Sequence, residues 1–249
     1  MITTQLDLSL IAARLEGLEE TIIFKLIDRA QFCANLSIYE QGKSGFSSES
    51  SHSLFELRMF HQERMDAQFG RFCVPEERPF TKDLPESQRV VNLPDSGLHI
   101  KDFNFISQVN DILTSYLDLI PRICESGDDI HNYGSSVEHD IYAIQSIARR
   151  IHYGSLYVAE SKYAGDPDEY NRLIKAGSAD SLMEKLTRKE IEDAIVERIR
   201  KKTVSTQSIV NRVVRKVIDP DVIAEYYREW IIPLTKKGEI AYLINRQDV

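Results

Sequence analysis

The sequence predicts an all-α protein built from long helices. Glycine and proline are scarce, with 11 and 8 among 249 residues, and this composition favours uninterrupted helices. Apolar residues recur at helical spacing through most of the chain, and no useful length of it alternates as a strand does. With 42% hydrophobic residues, the chain is able to bury a sizeable core, as one large domain or two small ones.

Apolar spacing and end signals define the predicted elements. The predicted helices cover residues 7–33, 54–72, 103–123, 136–163, 167–175, 178–186, 187–213 and 219–247. Residues 41–53 are rich in Gly and Ser, and residues 74–102 contain four prolines, so both are predicted to be loops. The hydroxyls that follow Gly134 predict an N-cap, and Thr187 with Glu190 has capping-box spacing. Pro233 predicts a kink in the last helix.

Charge and cysteine content narrow the function classes. A net charge of −8 and a pI near 5.4 exclude the basic footprint that a nucleic-acid surface needs. Cys33, Cys73 and Cys124 are odd in number and widely spaced, which is typical of reduced thiols without a metal site. Neither a signal peptide nor an apolar run of about 18 residues is visible. We therefore expect a soluble cytoplasmic protein.

The predicted long helix carries cations beside its apolar seam. Its buried stripe is Val137, Ile141, Ile144, Ile147, Ile151 and Val158. Arg149, Arg150 and Lys162 lie on the same helix, and a cation near a seam is costly unless an anion meets it. This pattern predicts an anion site.

Two further polar groups could contribute to that site. Glu192 follows Arg188 by one helical turn, and Thr235 shares a face with Glu239. Each group has a simpler interpretation, an exposed ion pair for the first and an ordinary polar face for the second. Residues 198–202 form a basic run that is more typical of a solvated helix face. Composition and spacing alone leave these alternatives open.

Four stretches resemble the all-helical chorismate mutases of the fungal and plant type. They are residues 18–29 (LEETIIFKLIDR), 133–146, 149–162 (RRIHYGSLYVAESK) and 232–243 (IPLTKKGEIAYL). The resemblance covers nearly the whole chain and implies a single all-α domain, with a regulatory part at about residues 40–135, in an intertwined homodimer. It also implies the Claisen rearrangement of chorismate to prephenate, in phenylalanine and tyrosine biosynthesis, without metal or cofactor.

The same resemblance implies residue roles. Arg150 would bind a substrate carboxylate, and Lys162 would donate to a carboxylate and to the breaking ether oxygen. Glu192 would contact the substrate hydroxyl, and Thr235 and Ile232 would line the pocket. Glu239 would face the ether oxygen and act protonated, which requires burial to raise its pKa.

Three departures from the family pattern bear on the active site. The arginine of the family's first helix aligns with Ala12, and Arg14 lies about 200° away on that helix. An asparagine of the family is Arg188 here, which would either supply the missing cation or pair with Glu192. Arg150 and Lys162 are twelve residues apart where the family has eleven, so a regular helix would rotate Lys162 by about 100°. We predict a π-bulge between residues 154 and 158.

The sequence also leaves alternatives open for regulation and for activity. The resemblance implies a dimer-interface site for tyrosine or tryptophan, built from Gly134 and Ser135 of one subunit and two arginines of the other. Of the two arginines only Arg71 is present, and Gly70 stands at the position of the other. We therefore expect weakened or absent regulation. Two alternatives to the mutase are an impaired binding protein on the same fold and an enzyme for a related cyclic dicarboxylate.

Overall fold

The computed structural model describes residues 6–247, so the ends of the predicted domain, residues 1–5 and 248–249, lie outside the described part. Within it the chain forms ten α-helices and no strand, which confirms the all-α prediction. They are α1 Leu8–Arg29, α2 Leu54–Gln68, α3 Val109–Ile123, α4 Tyr133–Tyr153, α5 Ala159–Gly165, α6 Pro167–Lys175, α7 Ala179–Leu186, α8 Lys189–Gln207, α9 Pro220–Tyr226 and α10 Ile232–Asn245. No helix in the described range is long and apolar enough to cross a membrane.

The core forms where α4 packs against α1. The predicted stripe of α4 is buried from Val137 to Ile151, each side chain at most 2% exposed, whereas Val158 is only partly covered. Ile22 and Leu26 of α1 are fully buried in the same cluster. Burying one such side chain is worth about 1.5–3 kcal/mol, so the pairing of these two helices fixes the frame on which the site is built.

The predicted π-bulge is present. Gly154–Val158 is a π-helical segment that joins α4 to α5 in one continuous helix. A π turn absorbs one extra residue, so the twelve-residue separation of Arg150 and Lys162 does not rotate the end of the helix away from its family position. This prediction from spacing is confirmed.

The π segment packs unusually close to α10. A Cβ on Gly154 would lie 2.7 Å from Thr235 Cγ2, and a Cβ on Gly238 would lie 2.6 Å from Ser155 Cβ. The Ser155 hydroxyl lies 3.2 Å from the Thr235 carbonyl oxygen. Because glycine occupies both contact points, the two backbones approach each other and α10 is held against the long helix.

Several predicted helix ends are wrong, and each has a local cause. The first helix stops at Arg29, not 33, because the Arg29 guanidinium turns back to the carbonyls of Cys33 and Ala34, each at 2.9 Å. Helix α2 stops at Gln68, not 72, because Gly70 adopts a left-handed conformation (φ 84°) that terminates helices. Helix α8 stops at Gln207, not 213, because its side-chain amide bonds the Ile218 backbone at 2.7 and 2.9 Å.

The predicted helix starts show similar differences. Thr187 is not an N-cap, because its hydroxyl donates to the Met183 carbonyl at 2.7 Å and closes α7. Helix α4 begins at Tyr133, so Gly134 and Ser135 lie inside its first turn. The predicted helix 103–123 is broken before α3, where the backbone N–H of Gln108 donates to His152 Nε2 at 3.1 Å.

The remaining predictions of local structure are confirmed. Helices α6 and α7 have the predicted extents, with Ser178 capping α7, and residues 41–53 and 74–102 contain no α-helix. The irregularity predicted at Pro233 takes the form of a second π-helical segment, Tyr227–Ile231, directly before α10. Proline has no N–H to donate, so the preceding turn is the one that departs from α geometry.

Candidate active site

One cavity of about 280 Å³ gathers every residue that the sequence analysis assigned to catalysis or substrate binding. Its walls come from α1, the α4–α5 helix, α8 and α10. The predicted residues that line it are Arg150, Lys162, Arg188, Glu192, Ile232, Thr235 and Glu239. This volume is close to the lower limit of ligand pockets, which commonly span roughly 300–1,000 Å³, so the cavity suits a small molecule.

Arg150 is the most buried cation of the cavity. It lies in the last turn of α4 with 3% of its surface exposed, and its Nη1 donates to the Thr235 hydroxyl at 2.9 Å. Its Nε is buried and has no hydrogen-bond partner among the described residues. Leaving a buried charged donor unsatisfied is costly, so Arg150 is arranged to receive an anion.

Lys162 and Glu239 form an ion pair on the neighbouring wall. Lys162 Nζ lies 2.8 Å from Glu239 Oε2, and the side chains are 16% and 5% exposed. Burial raises the pKa of the Glu239 carboxyl above its ordinary value, although the Lys162 and Arg150 cations act in the opposite direction. The arrangement places a carboxyl that readily holds a proton next to a cationic donor.

Glu192 pairs with a residue that the sequence analysis did not single out. Lys236 Nζ lies 2.9 Å from Glu192 Oε1 and 3.2 Å from Oε2. The alternative in which Glu192 pairs with Arg188 is therefore wrong. The signal that could have identified Lys236 is its position directly after Thr235, at the start of α10.

A second missed group lies between α1 and α8. Glu19 is fully buried, and Arg198 holds its two carboxylate oxygens at 2.7 and 3.0 Å. Lys202 Nζ adds a contact of 3.3 Å to Glu19. The basic run 198–202 is thus only partly a solvated face, since Arg198 lines the cavity while Arg200 forms an exposed pair with Asp221.

Two of the three departures from the family pattern, Ala12 and Arg188, meet at this cavity. Ala12 lines it from α1, and Arg188 lines it from the N-cap position of α8. Arg14, as predicted, does not take the place of a cation at Ala12, because its Nη1 donates to the Tyr153 hydroxyl at 3.4 Å. Within residues 6–247 the Arg188 side chain forms no hydrogen bond or ion pair, and only its backbone carbonyl is bonded, to the N–H groups of Ile191 and Glu192.

The residues predicted for regulation lie away from the cavity. Arg71 already binds two carboxylates, Asp66 at 2.8 Å and Glu77 at 3.0 Å. Gly134 and Ser135 are exposed in the first turn of α4. No hydrogen bond joins them to Arg71 within the described chain.

Chemically, the cavity combines a buried guanidinium, an ammonium and a carboxyl of raised pKa on rigid helices. Such a site is able to hold a small anion in one conformation and to place a hydrogen-bond donor where negative charge develops. These features suit an isomerase that orients its substrate and stabilises the charge that develops during the reaction.

Known proteins place this chain in one family, although no family model matches it. The chorismate mutase of Schizosaccharomyces pombe is 34% identical over 258 residues, spanning 99% of this chain and 98% of that protein. The Candida albicans chorismate mutase in complex with L-Trp superposes with a TM-score of 0.90 at 34% identity, covering 99% and 95% of the two chains. AtCM1 with phenylalanine in its allosteric site gives a TM-score of 0.87 at 36% identity, covering 100% and 99%; it also has a structure with tyrosine there.

The chain therefore belongs to the all-helical chorismate mutases of the fungal and plant type. Its activity is that of the family, the isomerisation of chorismate to prephenate on the route to aromatic amino acids.

Proposed function

We propose that the cavity described above is the chorismate site and that Arg150 binds one of the two substrate carboxylates. The single observation that carries this proposal is the buried, unpartnered Nε of Arg150 in a cavity of small-molecule size. A carboxylate at this point would satisfy the donor and neutralise the charge. The convergence of Arg150, Lys162 and Arg188 on one cavity favours an enzyme over the impaired binding protein.

Lys162 and Glu239 are proposed to act at the breaking ether bond. In the rearrangement the C–O bond breaks while a C–C bond forms within the same molecule, so no external nucleophile is required. Negative charge builds on the ether oxygen, and donors aimed at it lower the barrier. Protonated Glu239 would donate to that oxygen, and Lys162, now its ion-pair partner at 2.8 Å, would be shared with the substrate.

The remaining residues of the cavity would fix the orientation of the substrate. Glu192, held by Lys236, is proposed to accept from the substrate hydroxyl. Thr235 would keep Arg150 in place through its 2.9 Å hydrogen bond, and Ile232 would supply apolar contact. We propose that the reaction requires no cofactor, since each of these roles is binding, orientation or proton donation.

The test is the loss of chorismate absorbance on adding the purified protein. Arg150→Ala should reduce kcat/KM by about 10³-fold or more, because a charged contact to a reacting dianion is lost and a buried site is left empty. Arg149→Ala is the matched control, since Arg149 is half exposed and pairs with Glu76 and Glu77. Equal rates for the two variants would refute the role of Arg150, and no turnover by the parent protein would refute the assignment of the cavity.

For regulation, we propose a homodimer with a weak site for an aromatic amino acid, tyrosine or tryptophan. Relatives bind tryptophan, phenylalanine and tyrosine, and Gly134 and Ser135 are exposed here as such a site would require. Arg71 is engaged by Asp66 and Glu77, so an effector carboxylate would have to compete for it. Light scattering should give a dimer mass, and calorimetry should give effector Kd values above those of a relative with both arginines. A monomer, or tight effector binding, would contradict this proposal.

Two wider expectations remain proposals. We propose that the chain is one domain, with the regulatory part at about residues 40–135. We also propose a cytoplasmic location, which the three free cysteines support. Fractionation of the native cells would test the location, and limited proteolysis would test the single domain.

A further inference from the structure

The cations of the cavity are not equally available. Lys162 pairs with Glu239, Lys236 with Glu192 and Arg198 with Glu19, at N–O distances of 2.8, 2.9 and 2.7 Å. Arg150 and Arg188 are the remaining two, and neither has a carboxylate partner within 4.0 Å among the described residues. The cavity thus offers two uncommitted guanidinium groups, one from the long helix and one from the start of α8.

We propose that Arg188 binds the second carboxylate of the dicarboxylate substrate, the one that Arg150 does not bind. This inference rests on the proposed function of the cavity. The substrate has two carboxylates, and guanidinium groups bind carboxylates through paired, charge-assisted hydrogen bonds. One uncommitted guanidinium is present for each carboxylate.

No structural role accounts for Arg188. It occupies the N-cap position of α8 without a side-chain capping bond, and the N-terminal end of a helix disfavours cations by about 0.3–1 kcal/mol. Its side chain is exposed and bonded to no described residue. Arg188 therefore lines the cavity without any bond that holds its side chain elsewhere.

Helix α1 contributes a small apolar residue, Ala12, to the same cavity. Ala12 and Arg188 line the same cavity from α1 and α8. An alanine at position 12 offers neither charge nor hydrogen bond, so α1 supplies no ligand for the second carboxylate at that point. An arginine that reaches in from α8 supplies the charge from the other side.

Binding of a stable dicarboxylate transition-state analogue, and of its two monomethyl esters, tests the inference by calorimetry. Arg188→Ala should weaken binding of the dicarboxylate by about 10- to 100-fold, the usual worth of a charged hydrogen-bonded contact. It should leave unchanged the binding of one ester, the one that lacks the carboxylate held by Arg188. Arg188→Lys should recover part of the affinity.

Lys189→Ala is the matched control, because Lys189 is the adjacent exposed cation and does not line the cavity. A second variant, Ala12→Arg added to Arg188→Ala, should restore at least part of the lost affinity. Dicarboxylate affinity of Arg188→Ala within twofold of the Lys189→Ala value, or an equal loss for the diacid and both esters, would overturn the inference.

The binding experiment tests the role of Arg188 independently of the proposed function. Turnover of chorismate by the parent protein tests the function, whereas analogue binding tests Arg188 whether or not turnover occurs. The thermal unfolding midpoint of Arg188→Ala should equal or slightly exceed that of the parent protein, since no described side-chain contact is lost and a cation is removed from a helix N-terminus. Such a midpoint would exclude misfolding as the cause of weak binding.

Discussion

The Lys162 ammonium lies 2.8 Å from the Glu239 carboxylate, and burial raises the pKa of that carboxyl. The two residues are 77 positions apart in the sequence, yet both line the same cavity. Burial and the Lys162 cation act on the pKa of Glu239 in opposite directions, so the protonation of Glu239 depends on pH and on the charge of any ligand in the cavity. The first prediction follows from this sensitivity.

Replacing Glu239 with glutamine should change the pH profile rather than abolish activity. If protonated Glu239 donates to the substrate, activity of the parent enzyme falls as pH rises through the raised pKa, because the donor is lost. An amide donates at every pH, so Glu239→Gln should retain activity and lose the alkaline decline. The measurement is kcat/KM from pH 5 to 9. An inactive glutamine variant, or one with an unchanged alkaline limb, would argue against proton donation by Glu239.

Shortening the π segment by one residue should preserve activity. Deleting Tyr157, which is half-buried in that segment, returns Arg150 and the lysine to an eleven-residue spacing, about 20° apart on a regular helix. We expect kcat/KM within about threefold of the parent value, since the deletion keeps Lys162 on the same face of the helix as Arg150.

The matched opposite change is an alanine inserted after Ala159, beyond the π segment. It rotates Lys162 by about 100°, and kcat/KM should fall by about 10²-fold or more. Circular dichroism should show that both variants remain helical. Equal activity of the deletion and the insertion would show that the π segment does not set the position of Lys162.

Removing Arg198 should lower stability more than removing a cation of the solvated face. Arg198→Ala leaves the fully buried Glu19 with Lys202 alone, which should cost about 1–3 kcal/mol of unfolding free energy. Arg200→Ala breaks an exposed pair with Asp221 and should cost about 0–1 kcal/mol. Urea unfolding at neutral pH measures both. A larger loss for the Arg200 variant would contradict the buried role of Glu19.

Adding one methyl group to Gly238 should destabilise the fold. The new Cβ would collide with Ser155, its Cβ lying 2.6 Å away, and such overpacking costs about 1–3 kcal/mol. Gly17→Ala is the control, because Gly17 lies mid-helix in α1 with nothing within 4 Å of its Cβ position. That change should stabilise by about 0.5–1 kcal/mol. Thermal unfolding should therefore shift in opposite directions for the two alanine variants.

Local pattern was sufficient for most of the helices, and apolar spacing identified the stripe of α4. The irregular turn was identified by the resemblance, because Arg150 and Lys162 are one residue further apart than the matching pair of the family. The failures have a common cause, because the end of a helix depends on partners that spacing does not reveal. Thr187 had the spacing of a cap, but its hydroxyl bonds the preceding turn at Met183.

The residues of the candidate site also fall into those that were predicted from the sequence and those that were missed. The residues that the resemblance assigned to catalysis or substrate binding, such as Arg150 and Glu239, all line one cavity, whereas those assigned to regulation do not. Glu19 and Lys236 were missed because their partners are remote in sequence: Glu19 contacts Arg198 across 179 positions, and Lys236 contacts Glu192 across 44. Burial of a carboxylate is a property of packing, and no pattern within α1 indicates that Glu19 is covered by α8.

The π segment also determines how this chain is compared with its relatives. Because the extra residue is confined to Gly154–Val158, the helix before it and the helix after it keep the register of a shorter homologue. An alignment gap belongs inside these five positions. Moving the gap toward either end of the helix would shift Arg150 or Lys162 by one column, and an intact catalytic residue would then be scored as a substitution.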